Sequence, residues 1–143
     1  MKTIFKIAVI MGTLAISTPD IAAQSAYGSA TEAPATSNFI KKRYNIKGTW
    51  DVTQQDGQNI IRFNDDFRTK GGPDLKLYLS SKTLAELESG DVEHTSVKLS
   101  VLKSNKGAQS YIIPKDVNLS DFKSVVIHCE AFSVLWGGFD ISK

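Results

Sequence analysis

From Tyr44 onward, apolar and polar residues alternate with a period of two. That period predicts strands, because successive side chains of a strand point to opposite faces. Tyr44, Ile46, Trp50 and Val52 alternate with Asn45, Lys47, Thr49 and Asp51. This predicts one half-buried strand with a bulge or close approach at Gly48. Gln55-Asp56-Gly57-Gln58 is a hairpin signal, and Ile61 and Phe63 lie on the returning strand. Lys70-Gly71-Gly72-Pro73-Asp74 reads as a loop, followed by a strand in which Leu75, Leu77 and Leu79 alternate with Lys76, Tyr78 and Ser80. Residues 81–96 lack a clear period, and Leu84-Ala85-Glu86-Leu87 fits either one helical turn or a polar loop. Val97, Leu99 and Val101 form another alternating set, Asn105-Lys106-Gly107 is a tight turn, and Tyr111-Ile112-Ile113 is a short strand stopped by Pro114.

The densest apolar run of the exported part is Ser124 to Trp136. Its Val, Ile, Phe and Trp content favours strand over helix. Val125, Ile127 and Cys129 share one face, and Val126 and His128 the other. Both faces are largely apolar, which predicts a central strand covered on two sides. Glu130-Ala131 is read as a bend or bulge, with Phe132, Val134 and Trp136 as a second alternating set. Gly137-Gly138 is expected to break the strand, leaving Phe139 and Ile141 to pair briefly at the end. Trp50 and Phe63, each on an apolar phase, are expected in the core. Short strands at regular spacing, with Gly and Asx turns between them, predict a single all-β domain. The expected architecture is an antiparallel β-sandwich or a barrel-like fold.

The first 40 residues follow a different pattern. Lys2 and Lys6 precede an apolar stretch from Ile7 to Ile16, and Ala22-Ala23 supplies small residues for cleavage. This predicts a signal peptide over 1–23 and an exported protein, periplasmic or secreted. The stretch is too short to span a bilayer, and no later segment reads as a membrane helix. Residues 24–40 are rich in Ala, Ser and Thr and read as a disordered linker. The domain is then expected over 41–143.

Charge removes one class of partner. With 17 basic and 15 acidic residues the net charge is +2, too balanced to predict nucleic-acid binding. Export sharpens the chemistry of Cys129, the single cysteine. One cysteine makes no intramolecular bridge, so it is an intermolecular partner, a free thiol or a buried packing residue. Its phase predicts a mostly buried thiol that reacts slowly in the isolated protein. His128 beside it invites a metal reading. Neighbouring strand residues face opposite ways, however, so a structural or surface role for His128 is expected and no metal site is assigned. Asp91, Glu93 and His94 supply too few ligands for a closed cation site. Ser-His-acid catalysis lacks a nucleophile motif, and Gly71-Gly72-Pro73 lacks the lysine of a phosphate loop.

Four pieces carry a resemblance. They are Gly48-Thr49-Trp50-Asp51-Val52 ahead of Asp56-Gly57, Phe67 with the segment from Gly72 to Ser80, the segment from Leu102 to Pro114, and the segment from Ser124 to Val134. In that order they resemble the DM13 domain, also called the electron-transfer DM13 domain, over about residues 41 to 143. The resemblance implies an extracytoplasmic β-rich module whose characteristic cysteine falls on Cys129. It implies a redox role through that thiol or through a haem-type group held by it, and an extracytoplasmic redox or surface protein as partner. His128 departs from the apolar or aromatic residue expected before the cysteine. Gly137-Gly138-Phe139 departs from the expected small apolar ending. Two functions follow as expectations: a redox or electron-transfer accessory acting through Cys129, or a non-enzymatic binding or adhesion module in which Cys129 is structural.

Overall fold

The computed structural model of the protein describes residues 37–141. The expected signal peptide and most of the expected linker lie outside the described residues. At the predicted hairpin, β4 (Thr49–Gln55) and β5 (Gln58–Phe63) pair antiparallel with Gln55 opposite Gln58. Asp56 and Gly57 between them both have positive φ, 51° and 72°, as a tight two-residue turn requires. β1 (Ser37–Asn38) and β9 (Gln109–Ile112) flank this hairpin to give a sheet of order β1-β4-β5-β9. A second sheet holds β2 (Ile40–Lys41), β11 (Val134–Asp140), β10 (Ser124–Cys129), β7 (Leu75–Ser80) and β8 (Ser96–Val101), in that order. β3 (Ile46–Lys47) pairs with β6 (Arg68–Thr69) as a separate ribbon. Every pairing is antiparallel.

The two sheets enclose one core. Trp50, Ile61, Phe63 and Tyr111 come from the first sheet, and Leu75, Leu77, Leu79, Val125, Ile127, Cys129, Trp136 and Phe139 from the second. Aromatic rings bridge them. Trp50 stacks on Phe139 at 3.7 Å between centroids, and Phe39 meets Phe63 and Phe139 edge-on. Such pairs add directional attraction to the burial of large apolar area. The fold is therefore an all-β sandwich, and Trp50 and Phe63 are in its core as expected. Ser37–Asn38 already pair with β4 and Phe39 is buried, so the ordered pairing begins ahead of residue 41.

The second sheet is covered on its outer face too. Leu84, Leu87 and Val92 pack on Tyr78, Val126 and Leu135 as a smaller apolar cluster. Leu84 and Leu87 thus belong to neither a helix nor a merely polar loop. Leu84 opens a turn over residues 84–86, Leu87 follows it in irregular chain, and both are fully buried. The covering segment ends in α1 (Val92–Thr95) and is tied down by polar bonds. Leu84 N–H donates to Asp140 Oδ1 at 2.8 Å, and Leu135 N–H to Ser89 Oγ at 3.0 Å.

Three sequence expectations need correction. The strand expected over 44–52 is divided at Gly48, with β3 and β4 in different sheets. Gly48 has φ of 113°, and a Cβ there would lie 2.5 Å from Phe67 Cα. Glycine is required for both reasons, and the chain changes sheets at this point. The bend expected at Glu130-Ala131 is there, a 3-10 turn over Glu130–Phe132 with Ser133 in the left-handed region between two strands, but the second alternating set does not begin at Phe132. Phe132 stands at that turn, 70% exposed, and not on an apolar face. Finally, Gly137-Gly138 does not break the strand. β11 runs through both glycines, which pair with β10 on one side and β2 on the other. A Cβ on Gly138 would lie 2.0 Å from the Val125 carbonyl oxygen, so close backbone approach explains the glycine.

Candidate functional site

Cys129 is the last residue of β10, opposite Leu75 on β7 and Val134 on β11. Its phase with Val125 and Ile127 carries all three side chains into the core between the sheets. The thiol is free and fully buried. Trp136, two residues beyond Val134, is buried in the same core cluster. Its indole N–H donates to Thr69 Oγ1 at 3.0 Å, and the Tyr44 ring packs on it at 3.9 Å.

His128 faces the other way, as the strand period requires. It is fully buried under the covering segment and meets the Tyr78 ring edge-on. Its Nε2 lies 3.1 Å from Glu93 Oε1 on α1, while Nδ1 has no hydrogen-bond partner. The histidine therefore clamps α1 onto the sheet, a structural role. It shares no ligand geometry with Cys129. The Asp91, Glu93, His94 group is also dispersed: Asp91 pairs with Lys82 at 3.0 Å and Glu93 turns to His128. Among the described residues no three His, Cys, Asp or Glu side chains converge on a metal position.

One polar cluster escaped the sequence reading. Glu130, the residue after Cys129, receives Lys76 Nζ at 2.8 Å, Lys98 Nζ at 2.5 Å and the Tyr78 hydroxyl. Lys76 also reaches Asp74 at 2.8 Å. Hydrogen bonds from Lys76, then Lys98, then Tyr78 hold the Glu130 carboxyl down at about 2. Burial first, and the Glu130 carboxylate second, push the Tyr78 phenol above its ordinary value. Lys76 is raised by its bonds to Asp74 and Glu130. The available signal was the pair Lys76 and Tyr78, two apart on one strand and so on one face. No local pattern pairs them with Glu130, 54 and 52 positions away.

The haem-type group implied by the resemblance does not fit these residues. A haem ligated by Cys129 needs open space for a macrocycle at the sulfur. The thiol is instead enclosed by packed side chains of both sheets, with Leu75, Leu77, Ile127 and Trp136 in the same cluster. The adjacent histidine points to the opposite face, so it supplies no second axial ligand on that side.

The model of the family described as electron transfer DM13 matches residues 38–141. No curated protein and no solved structure matches the chain. The matched region contains every strand from β2 to β11 and the whole core around Cys129, so the chain belongs to the electron transfer DM13 family.

Proposed function

We propose that this chain is an exported electron-transfer module, with Cys129 as its candidate redox group and an extracytoplasmic redox protein as partner. Membership of the electron transfer DM13 family carries this reading. The charged start at Lys2 and Lys6, the apolar stretch from Ile7 to Ile16 and the Ala22-Ala23 pair support export. Burial of the thiol bars attack by a partner's cysteine, because thiol exchange needs access to the sulfur. The reading is therefore one-electron loss from the Cys129 thiol to a one-electron acceptor on the partner, with the S–H proton released and a thiyl radical left on the sulfur, and no mixed disulfide formed. The protein is to be reduced, mixed with a one-electron oxidant and followed by stopped-flow spectroscopy, beside the Cys129→Ser variant. Oxidation of the parent that is lost in a folded Cys129→Ser supports the reading. Equal oxidation of both proteins removes Cys129 from it.

A second reading is favoured by one observation. Cys129 is enclosed by apolar side chains with no charged group bonded to it, the usual setting of a packing cysteine. Under that reading the chain is a non-enzymatic extracytoplasmic binding or adhesion module. Cys129→Ala would then lose some stability and no other property.

A further inference from the structure

The ribbon of β3 and β6 carries an arrangement that its own stability does not explain. Lys47 stands directly opposite Arg68, and Arg68 directly opposite Lys106. Opposed residues of neighbouring strands share a face and lie about 5 Å apart. Three cations thus form a row across three chain segments. All three are exposed, and none makes an ion pair among the described residues. The nearby carboxylate Asp66 is turned to Thr49, whose N–H and hydroxyl it accepts at 2.9 and 3.0 Å. Like charges placed directly opposite destabilise a strand pair, and at this spacing they lie within one Debye length at physiological salt.

The row is held firmly. Thr69 N–H donates to Asn105 O and Gly107 N–H to Phe67 O, both at 2.9 Å, which fixes the 105–107 turn beside β6. Thr69 follows Arg68 and accepts the Trp136 indole N–H, so the row lies one residue from a hydrogen bond to an aromatic side chain of the core cluster that holds Cys129.

We propose that Lys47, Arg68 and Lys106 form the docking surface for an acidic face of a partner protein. In naming that partner a redox protein, the inference rests on the electron-transfer reading above. Unpaired cations at fixed spacing match carboxylates on a facing surface, and such complementarity steers transient complexes together. Two other occupants fit less well. Duplex DNA bound without sequence preference needs a strongly basic surface, and the net charge here is only +2, whereas a single strand needs aromatic faces for base stacking. The Tyr44 ring, the nearest candidate, is taken up by Trp136 at 3.9 Å and by Lys70 Nζ at 4.9 Å. A membrane surface calls for apolar side chains that insert, and none of the three segments bears an exposed large hydrophobic residue.

The test uses the full chain with poly-L-glutamate as probe, against double-stranded DNA and phosphatidylglycerol vesicles at matched charge. The parent is expected to bind polyglutamate at low ionic strength and release it as salt is added. The triple change Lys47→Gln, Arg68→Gln, Lys106→Gln is expected to weaken binding about tenfold or more. It should melt at or above the parent's temperature, because opposed like charges are gone. Arg68→Gln alone, at the centre of the row, serves if the triple variant does not fold. Lys115→Gln, on the exposed segment after β9, is expected to bind as the parent does. No polyglutamate binding, undiminished binding in the folded variants, or tighter binding of DNA or vesicles each overturns the proposal. Oxidation of the parent beside Cys129→Ser separates the two readings: a parent that binds polyglutamate through the row but is oxidised no faster than Cys129→Ser overturns electron transfer through Cys129 and leaves the docking surface standing.

Discussion

At the level of single residues, position decides chemistry. Cys129 and His128 are neighbours in sequence and have no common surroundings, because a strand sends them to opposite faces. A thiol reagent should modify native Cys129 slowly and denatured Cys129 at once. Fast labelling of the native protein, followed by mass spectrometry, would contradict the burial. Trp50 stacks on Phe139 across the core, so Trp50→Ala should cost about 3–5 kcal/mol. An unchanged denaturant midpoint would show that this contact holds nothing. Glu130 links stability to acid. Its folded value, about 2, lies below the ordinary 4.5. The unfolded chain therefore takes up the proton first. The stabilisation is complete above about pH 4.5 and is lost as pH falls toward 2. Glu130→Gln should flatten the melting temperature over that window, as calorimetry at stepped pH would read. At the alkaline end, burial pushes the Tyr111 phenol up to about 12 and Tyr78 is raised as well. Both should ionise late in an ultraviolet titration.

At the level of elements, the hairpin of β10 and β11 is the centre of the second sheet. β10 is buried along its whole length, with β7 on one side and β11 on the other. The register shifts between Ile127 and His128, and the chain reverses through Glu130–Phe132. Gly138 lets the two backbones meet. Gly138→Ala should cost about 1–3 kcal/mol or more, since a Cβ 2.0 Å from the Val125 oxygen forces the strands apart. Gly90→Ala is the control, because no atom lies within 4 Å of a Cβ there. Equal stability of the two variants would refute the close approach. β8 is the edge of the same sheet, with Val97 and Val101 exposed and Lys98 between them. A bulge at Leu99 and the lysine discourage pairing with another chain.

At the level of the whole molecule, the sandwich has one aromatic core and one lid. The lid, residues 81–95, turns the outer face of the second sheet into a second apolar cluster. This accounts for a β10 that is apolar on both faces in a two-layer fold. Charge is distributed unevenly. The lysines of the Glu130 cluster are paired, whereas the row on β3, β6 and the 105–107 turn is not. Net charge near zero therefore concealed a local positive surface. If the expected leader is cleaved, mass spectrometry of the exported protein should show an N-terminus near Gln24, and an intact Met1 would refute it.

The residues by themselves determined whatever depends on local periodicity. The alternation at Leu75–Ser80 and Ser124–Cys129, the Asp56-Gly57 turn, the all-β class and the inward face of Cys129 all follow from the two-residue repeat of a strand. The four matching segments also sufficed to indicate the family, because they preserve the order of motifs along the chain. Only the tertiary structure decided which strands share a sheet. Gly48 and Gly138 look alike in sequence, yet one marks a change of sheet and the other an uninterrupted strand. What distinguishes them is the backbone facing each, Phe67 in one case and Val125 in the other, both remote in the chain. The Glu130 cluster and the cationic row are likewise products of register. Residues tens of positions apart become neighbours only when hydrogen-bonded strands align them, and no local pattern records that alignment.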